Sequence, residues 1–340
     1  MHGSVRMDPV RTPILCPICR YPAEIPNDSH PGYQQPATFA IAECGYCDVQ
    51  FCDPMISCAN LYERIYQHAA TLPGYSRYQW YAEQVARKSS PLRWLAAREE
   101  AYAFIASTLR NAKTSRILEI GSGLGYLTFA LTRAGYDARG LELSERAVAA
   151  ARARFGNLYE VCDVTQVDGS RFLADVVVMT EVLEHTPDPE TLLRSINGML
   201  RPGGFALITT PNKSSARRAA YWMTDNPPVH LWWFSETTLR RLAQMTGFLV
   251  SFHSSESRAA TPLWPPCFDE KGRQIFPASS VRRLLRTFPG LALSAIALAR
   301  HRRQRRAIRQ ANGERAATMC VILRKPDASL NASLSGAAPP

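Results

Sequence analysis

Short apolar runs separated by polar, glycine-bearing turns fill the middle of the chain, and their spacing switches between two periods. Ile117, Leu118 and Ile120 make a run with the length of a strand buried on both faces. Gly121, Gly123 and Gly125 follow at once, and Tyr126–Ala134 then takes helical spacing. The same unit recurs as strand 137–142, a helix capped by Ser144, strand 158–161, strand 172–179, a helix over 188–199 and strand 204–210. Ser235–Thr246 reads as a capped amphipathic helix with Leu239, Leu242, Ala243 and Met245 on its inner face. Gly247 closes it, Phe248–Phe252 is a sixth strand, and Thr318–Arg324 is an apolar strand some sixty residues later. Alternating strands and helices of this kind predict a mostly parallel sheet covered on both faces.

Upstream of that unit the pattern changes. Cys16-Pro-Ile-Cys19 and Cys44-Gly-Tyr-Cys47 are two C-x-x-C pairs twenty-four residues apart, and Phe39–Glu43 and Val49–Cys52 alternate like a hairpin around the second. Two such turns facing each other suit a closed tetrahedral zinc site, whereas a redox C-x-x-C does not predict two copies flanking strands. Cys52, Cys58 and His30 are spare candidates. Asn60–Lys88 is rich in tyrosine and reads as helical with a break at Pro73-Gly74. Its rings either pack the ribbon onto the main domain or wall the substrate pocket. Ser90-Pro91 starts a helix expected to run toward Asn111.

Chemistry-bearing residues stand at the ends of the strands. Glu142 follows the glycines by about twenty residues, where a carboxylate can accept the hydroxyls of a ribose. Asp163 follows the next strand, and DVVVMTEVLEH (Asp175–His185) and LRPGGFALITTPN (Leu200–Asn212) come after it. With these residues the chain resembles the class I S-adenosylmethionine-dependent methyltransferases, in particular the ubiquinone-biosynthesis-like branch. The resemblance covers about residues 114–325. A nicotinamide-binding Rossmann domain prefers G-x-G-x-x-G, and this loop spells G-x-G-x-G. The resemblance implies a Rossmann-like seven-stranded class I sheet of α/β type, with Thr318–Arg324 as its antiparallel strand, behind an N-terminal zinc ribbon. The ribbon, with its trailing QFCDP, is similar to one that precedes many bacterial methyltransferases of this branch.

By the same resemblance Glu119 holds the methionine amino end of the cofactor, and Gly121, Gly123 and Gly125 let it approach the backbone. Glu142 binds its ribose, Asp163 its adenine, and Glu181 lies beneath its methionine end. His185 and His230 are the candidate general bases. Glu181, Glu184 and His185 together are the alternative, as holders of a divalent ion. Cys16, Cys19, Cys44 and Cys47 are the ligands of a structural zinc that does no chemistry.

Composition adds bounds. The chain has 340 residues, 46% hydrophobic, with no apolar run long enough to span a membrane and no signal-peptide pattern at its start, so a cytoplasmic location is expected. Nine cysteines in such a chain argue for thiols or metal. Eleven Lys and Arg and no acid lie between Lys271 and Gly313, which equals the whole formal net charge of +11. The insert 254–317 that contains them has three readings: a peripheral membrane contact through 281–309 at the inner face, a packed lid or subunit contact, or a nucleic-acid contact. The expected organisation is a ribbon over 1–58, a helical linker or lid over 59–112, the methyltransferase domain over 113–326 and a disordered tail over 327–340. Ribbon and domain are expected to have separate cores. The expected function is O- or C-methylation of a small-molecule, glycan or lipid-linked acceptor. RNA methylation and a non-catalytic cofactor-binding module are the alternatives. Neither the acceptor nor the oligomeric state is fixed by the sequence.

Overall fold

A computed structural model describes residues 14–33, 36–56, 59–69, 75–111, 115–214, 226–253, 267–268, 274–275 and 318–327. Cys58, the tail beyond Asp327 and almost all of the basic insert lie outside the described residues, and with them every reading attached to 281–309.

The N-terminal segment folds as antiparallel strands β1 (Ile14–Leu15), β2 (Pro22–Pro31), β3 (Thr38–Cys44) and β4 (Val49–Asp53). Cys44 pairs with Val49 across the hairpin turn that carries Cys47. Four short helices follow: α1 (Ala59–His68), α2 (Ser76–Val85), α3 (Pro91–Ala96) and α4 (Glu100–Thr108). The single helix expected from Pro91 to Asn111 is therefore two. Glu99 between them is extended, with φ −131° and ψ 145°. Its carboxylate accepts the Tyr81 hydroxyl at 2.7 Å and pairs with Arg77 at 3.6 Å, so tertiary bonds hold the junction out of the helix.

The main sheet uses β5 (Arg116–Ile120), β6 (Asp137–Glu142), β7 (Tyr159–Val161), β8 (Ala174–Thr180) and β9 (Leu200–Pro211). Between them run α5 (Tyr126–Arg133), α6 (Glu145–Phe155) and α7 (Pro189–Met199). After β10 (Trp232–Trp233) come α8 (Glu236–Met245), β11 (Leu249–Phe252), the short pair β12 (Cys267–Phe268) and β13 (Gln274–Ile275), and β14 (Thr318–Arg324). Seven strands order as β11-β14-β9-β8-β5-β6-β7, and β14 runs antiparallel to both its neighbours. This is the expected class I arrangement, and the distant strand Thr318–Arg324 fills the expected place. The Pro-Gly-Gly turn expected ahead of β9 lies within it, absorbed as an irregularity between Leu200 and Phe205.

The period of two divides the strand residues between two cores. Ile117, Val176 and Val178 face α3, α4 and α5, while Leu118, Ile120, Val177 and Met179 face α7 and α8. The second core does not stop at the sheet. It continues through Leu231, Trp232 and Phe234 into Phe39, Ile41, Phe51 and the ribbon cysteines, all buried together. Ribbon and domain thus share one core, which corrects the expectation of two. The reason is a strand exchange. β10 pairs antiparallel with β4, Trp232 opposite Phe51 and Trp233 opposite Gln50, and so belongs to the ribbon's sheet. The Trp232 ring lies 5.7 Å from Phe51 and 5.8 Å from Phe234.

Candidate functional site

The strand order reverses between β6 and β8 on either side of β5, and an open α/β sheet forms its ligand crevice beyond the strand ends at such a point. The loop Gly121–Gly125 occupies it. Gly121 and Gly125 have φ of 71° and 81°, a region that costs an L side chain about 1–2 kcal/mol. Space forbids one as well. A Cβ on Gly121 would sit 2.5 Å from Val182, and one on Gly125 would sit 2.7 Å from Ala151 and Tyr159. The Gly123 N–H donates to Glu142 Oε2 at 2.8 Å and the Ser144 N–H to Glu142 Oε1 at 3.0 Å, so the acid at the end of β6 clasps the loop. Glu119 is buried in β5 and accepts the Thr128 hydroxyl. Burial pushes its carboxyl up to about 8, Thr128 opposing and Glu142 adding. Burial also raises Glu142, against the N–H groups of Ser144, Gly123 and Leu143. Asp163 is exposed after β7, and its Oδ1 accepts both the N–H and the hydroxyl of Thr165. The cradle therefore fits S-adenosylmethionine in its donor set: bare backbone, then acids at the ends of two adjacent strands.

Beyond β8 the chain makes a tight turn. Glu181 has φ 52°, and its Oε1 accepts the Thr209 hydroxyl at 3.0 Å. Glu184 is fully buried and its Oε2 accepts the Thr210 hydroxyl at 2.9 Å. His185 stands beside it, with Nε2 3.9 Å from Glu184 Oε1. His185 Nδ1 lies 2.6 Å from the Val229 carbonyl; a carbonyl only accepts, so the ring proton sits on Nδ1 and the lone pair on Nε2. His230 faces His185 with ring centroids 4.7 Å apart. Burial lowers His185 to about 4, the carbonyls of Val229 and Glu181 opposing, and burial with His185 nearby pushes His230 well below the ordinary range. Glu184, His185 and His230 bring one ligand atom each within 4.8 Å of one another. The sequence reading grouped Glu181 with Glu184 and His185. In the fold His230, forty-five residues on from His185, takes the place of Glu181, whose Oε1 is turned to Thr209.

Helix α1 roofs both halves, which sequence spacing alone did not reveal. Leu61 and Ile65 pack on Val229, and the Tyr62 hydroxyl donates to the Val229 carbonyl at 3.2 Å with its ring 5.9 Å from His185. One turn on, the Tyr66 hydroxyl lies 3.2 Å from where a Cβ on Gly123 would stand. Four residues of helix rise about 6 Å, so the glycine loop and the histidine cluster are near neighbours under one helix. The other linker tyrosines divide: Tyr81 and Tyr102 are buried core, and Tyr78 stacks on Tyr126 beside the loop.

The four ribbon cysteines also converge. Sγ of Cys16, Cys19, Cys44 and Cys47 lie within 4.8 Å of one another, Cys19 to Cys44 at 3.5 Å. Zn–S bonds of about 2.3 Å in a tetrahedron set the sulfurs about 3.8 Å apart, so the set fits zinc. Burial pushes the Cys16 thiol up to about 11 and the Cys47 thiol higher, a pressure that a cation among them reverses. Cys52 is buried with its thiol toward the Pro54 carbonyl, and His30 turns to the Pro31 carbonyl; neither joins the four.

Residues 93–251 match the family described as "Methyltransferase domain". The matched segment holds the glycine loop, Glu142 and the cluster of Glu184, His185 and His230. The chain's curated relatives include the ubiquinone biosynthesis O-methyltransferase of Aromatoleum aromaticum, 33% identical over 113 residues, covering 31% of this chain and 48% of that protein. The enzyme of the same name from Pectobacterium atrosepticum is 31% identical over 126 residues, covering 35% and 51%. The chain spans about half the length of the curated relatives it matches. Among solved structures it is similar to a Thermotoga maritima S-adenosylmethionine-dependent methyltransferase described as a possible histamine N-methyltransferase (TM-score 0.45, 16% identity, covering 79% of this chain and all of that one). It is also similar to the magnesium protoporphyrin IX methyltransferase of Synechocystis with bound S-adenosylhomocysteine (TM-score 0.43, 15% identity, 59% and 95%).

Proposed function

We propose that this protein transfers a methyl group from S-adenosylmethionine to a hydroxyl oxygen of a small-molecule acceptor. The observation that carries the reading is the placement of two unlike half-sites under α1: a glycine loop clasped by Glu142, and beside it the cluster Glu184, His185 and His230. The bound cofactor supplies an electrophilic methyl on a sulfonium, a good leaving group. The protein's part is to align that methyl with the acceptor and keep water out. Glu119 faces the methionine amino group, Glu142 the ribose and Asp163 the adenine. Glu181 lies under the methionine end, and Tyr62 and Tyr66 close the roof.

Methylating a hydroxyl also requires its proton to leave. Two neutral imidazoles and a carboxylate with ligand atoms within 4.8 Å of one another are a donor set for a divalent cation, whose chemistry there would be to stabilise the acceptor's oxyanion. A second reading uses the His185 or His230 lone pair as a general base. It is the weaker one, because an imidazole lowered to about 4 holds a proton poorly at neutral pH. The relatives named as O-methyltransferases support an oxygen acceptor. The four cysteines hold one structural zinc in this reading, and RNA or lipid-linked acceptors depend on the insert outside the described residues.

The test is methyl transfer from labelled S-adenosylmethionine to mono- and ortho-dihydroxyarenes, with and without added Mg2+ or Mn2+. Labelled O-methyl product that requires the added ion, and is lost in Glu184→Gln, supports the cation reading. Ion-independent product lost in His185→Gln supports the base. Failure to bind the cofactor at all refutes the function.

A further inference from the structure

Besides Thr210 of β9, which donates to Glu184, the segment Val229–Phe234 supplies the backbone links that fix the acceptor cluster, and the ribbon holds that segment. The Cys52 N–H donates to the Leu231 carbonyl at 3.0 Å, and the Leu231 N–H donates to the Glu184 carbonyl at 2.8 Å. β10 completes the ribbon's sheet, and Trp232 Nε1 donates to the Thr186 carbonyl at 2.8 Å. The Val229 carbonyl, in the same segment, sets the tautomer of His185. The ribbon turn that carries Cys47 is pinned in return. Thr238 in α8 donates its hydroxyl to the Cys47 carbonyl at 2.9 Å, and Lys213 Nζ reaches Glu43 at 2.7 Å and also Asp48. The cofactor loop takes its support elsewhere, from Glu142, Ser144, Tyr159 and α6.

We infer that the four-cysteine ribbon is a positioning element for the acceptor half of the site. Metal held by Cys16, Cys19, Cys44 and Cys47 fixes the β3–β4 turn. That turn fixes β4, and β4 holds the backbone on which Glu184, His185 and His230 are registered. The cofactor half stands without it. The protein with its ribbon metal removed is then a cofactor-binding protein with a disassembled acceptor site. Catalytic competence is coupled to thiolate-metal status, so a thiol oxidant or a zinc chelator switches methyl transfer off while leaving the cofactor bound. Lys213 is a positioning residue in this arrangement, acting through Glu43 and Asp48.

The inference rests on the acceptor-side reading of Glu184, His185 and His230, and the experiment separates the two. Full-length zinc-loaded protein is compared with Cys44→Ser, Lys213→Ala and Lys213→Arg by three measurements. These are S-adenosylhomocysteine affinity by calorimetry, Mn2+ binding by electron paramagnetic resonance, and the ring N–H of His185 by histidine-selective NMR, where a proton bonded to a buried carbonyl exchanges slowly. In Cys44→Ser we expect S-adenosylhomocysteine affinity to stay within about threefold and the slow His185 proton to vanish. Mn2+ affinity should fall about 10- to 100-fold, the usual cost of losing the support behind a ligand set. Lys213→Ala, with all four thiolates in place, should show the same loss in milder form, and Lys213→Arg should restore it. A His185 proton that persists in Cys44→Ser overturns the inference. So does cofactor affinity that falls by the same factor as Mn2+ affinity in both Cys44→Ser and Lys213→Ala. If the unaltered protein binds no Mn2+, the cation reading fails, and the His185 proton alone decides the positioning role.

Discussion

Replacing Glu142 with alanine probes the cofactor half directly. Oε2 accepts the Gly123 N–H at 2.8 Å, Oε1 accepts the Ser144 N–H at 3.0 Å, and the Leu143 N–H also favours the carboxylate. A carboxylate has about four acceptor positions, and the one left over is where a ribose hydroxyl is proposed to bind. Hydrogen bonds to a charged acceptor contribute about 1.5–3 kcal/mol net, so losing the ribose contact alone weakens binding about 10- to 160-fold. The alanine variant also frees the Gly123 and Ser144 N–H groups, which water can reach once the side chain is gone. That term lowers the stability of the cofactor-free protein and is read separately, as a fall in melting temperature without ligand. Glu142→Gln keeps one acceptor oxygen and should fall between the two. Calorimetry with S-adenosylhomocysteine is the assay, and the melt in its absence is the control. An alanine variant that binds with unchanged affinity refutes the ribose assignment. One that melts earlier yet binds normally reduces Glu142 to a loop clasp.

Four further outcomes are expected. Glu119 sits at about 8 in the cofactor-free fold, above the ordinary carboxylate range, so its contribution to stability is full below about pH 4 and is lost as pH rises through 8. A cationic ammonium beside it favours the ionised form, so cofactor binding near pH 7 should release a proton and tighten with pH by up to about tenfold per unit. Binding heats that do not vary with buffer ionisation enthalpy would contradict this. Trp232→Ala removes a buried indole, its contacts with Phe51 and Phe234 and its bond to Thr186, and should cost about 3–5 kcal/mol. Because the core is shared, the zinc-loaded protein should melt in one thermal transition, with heat uptake and zinc release coinciding; a separate early ribbon transition would argue for two units. Gly121→Ala puts a methyl 2.5 Å from Val182 at φ 71°, and should abolish measurable cofactor binding while leaving the zinc content at one per chain.

Much of this was legible in the sequence where the signal is local. The strand–glycine–helix unit at 116–134, the Ser144 and Ser235 caps and the two C-x-x-C turns each depend on residues within a few positions of one another. Even the seventh strand was readable, since Thr318–Arg324 is an apolar run of strand length where the resemblance calls for one more strand. What the sequence hid is long-range. Nothing near Trp232 or Trp233 announces that they pair with Phe51 and Gln50, because two residues carry too little period to declare a strand. The same is true of His230, whose partnership with Glu184 and His185 is created by β10 being held to the ribbon. The break at Glu99 escaped notice for a related reason. The residues around it favour helix, and only Tyr81 and Arg77, brought in by α2, make the extended form worth keeping.

The loan of β10 to the ribbon bears on how this protein can be cut. Residues 93–251 carry the family match, and a gene begun at residue 59 would still hold all of them and the seventh strand. Without the first 58 residues, however, β10 becomes an edge strand with no neighbour on the β4 side. Trp232, Phe234 and Leu239 would then face water as one bare apolar tract where they are now covered. An unpaired strand beside such a tract is a template for other copies of itself, so the shortened protein is expected to precipitate on expression. The N-terminal segment is in this sense an internal chaperone for its own domain. Any attempt to graft the domain onto another carrier must bring that lost half of the sheet with it.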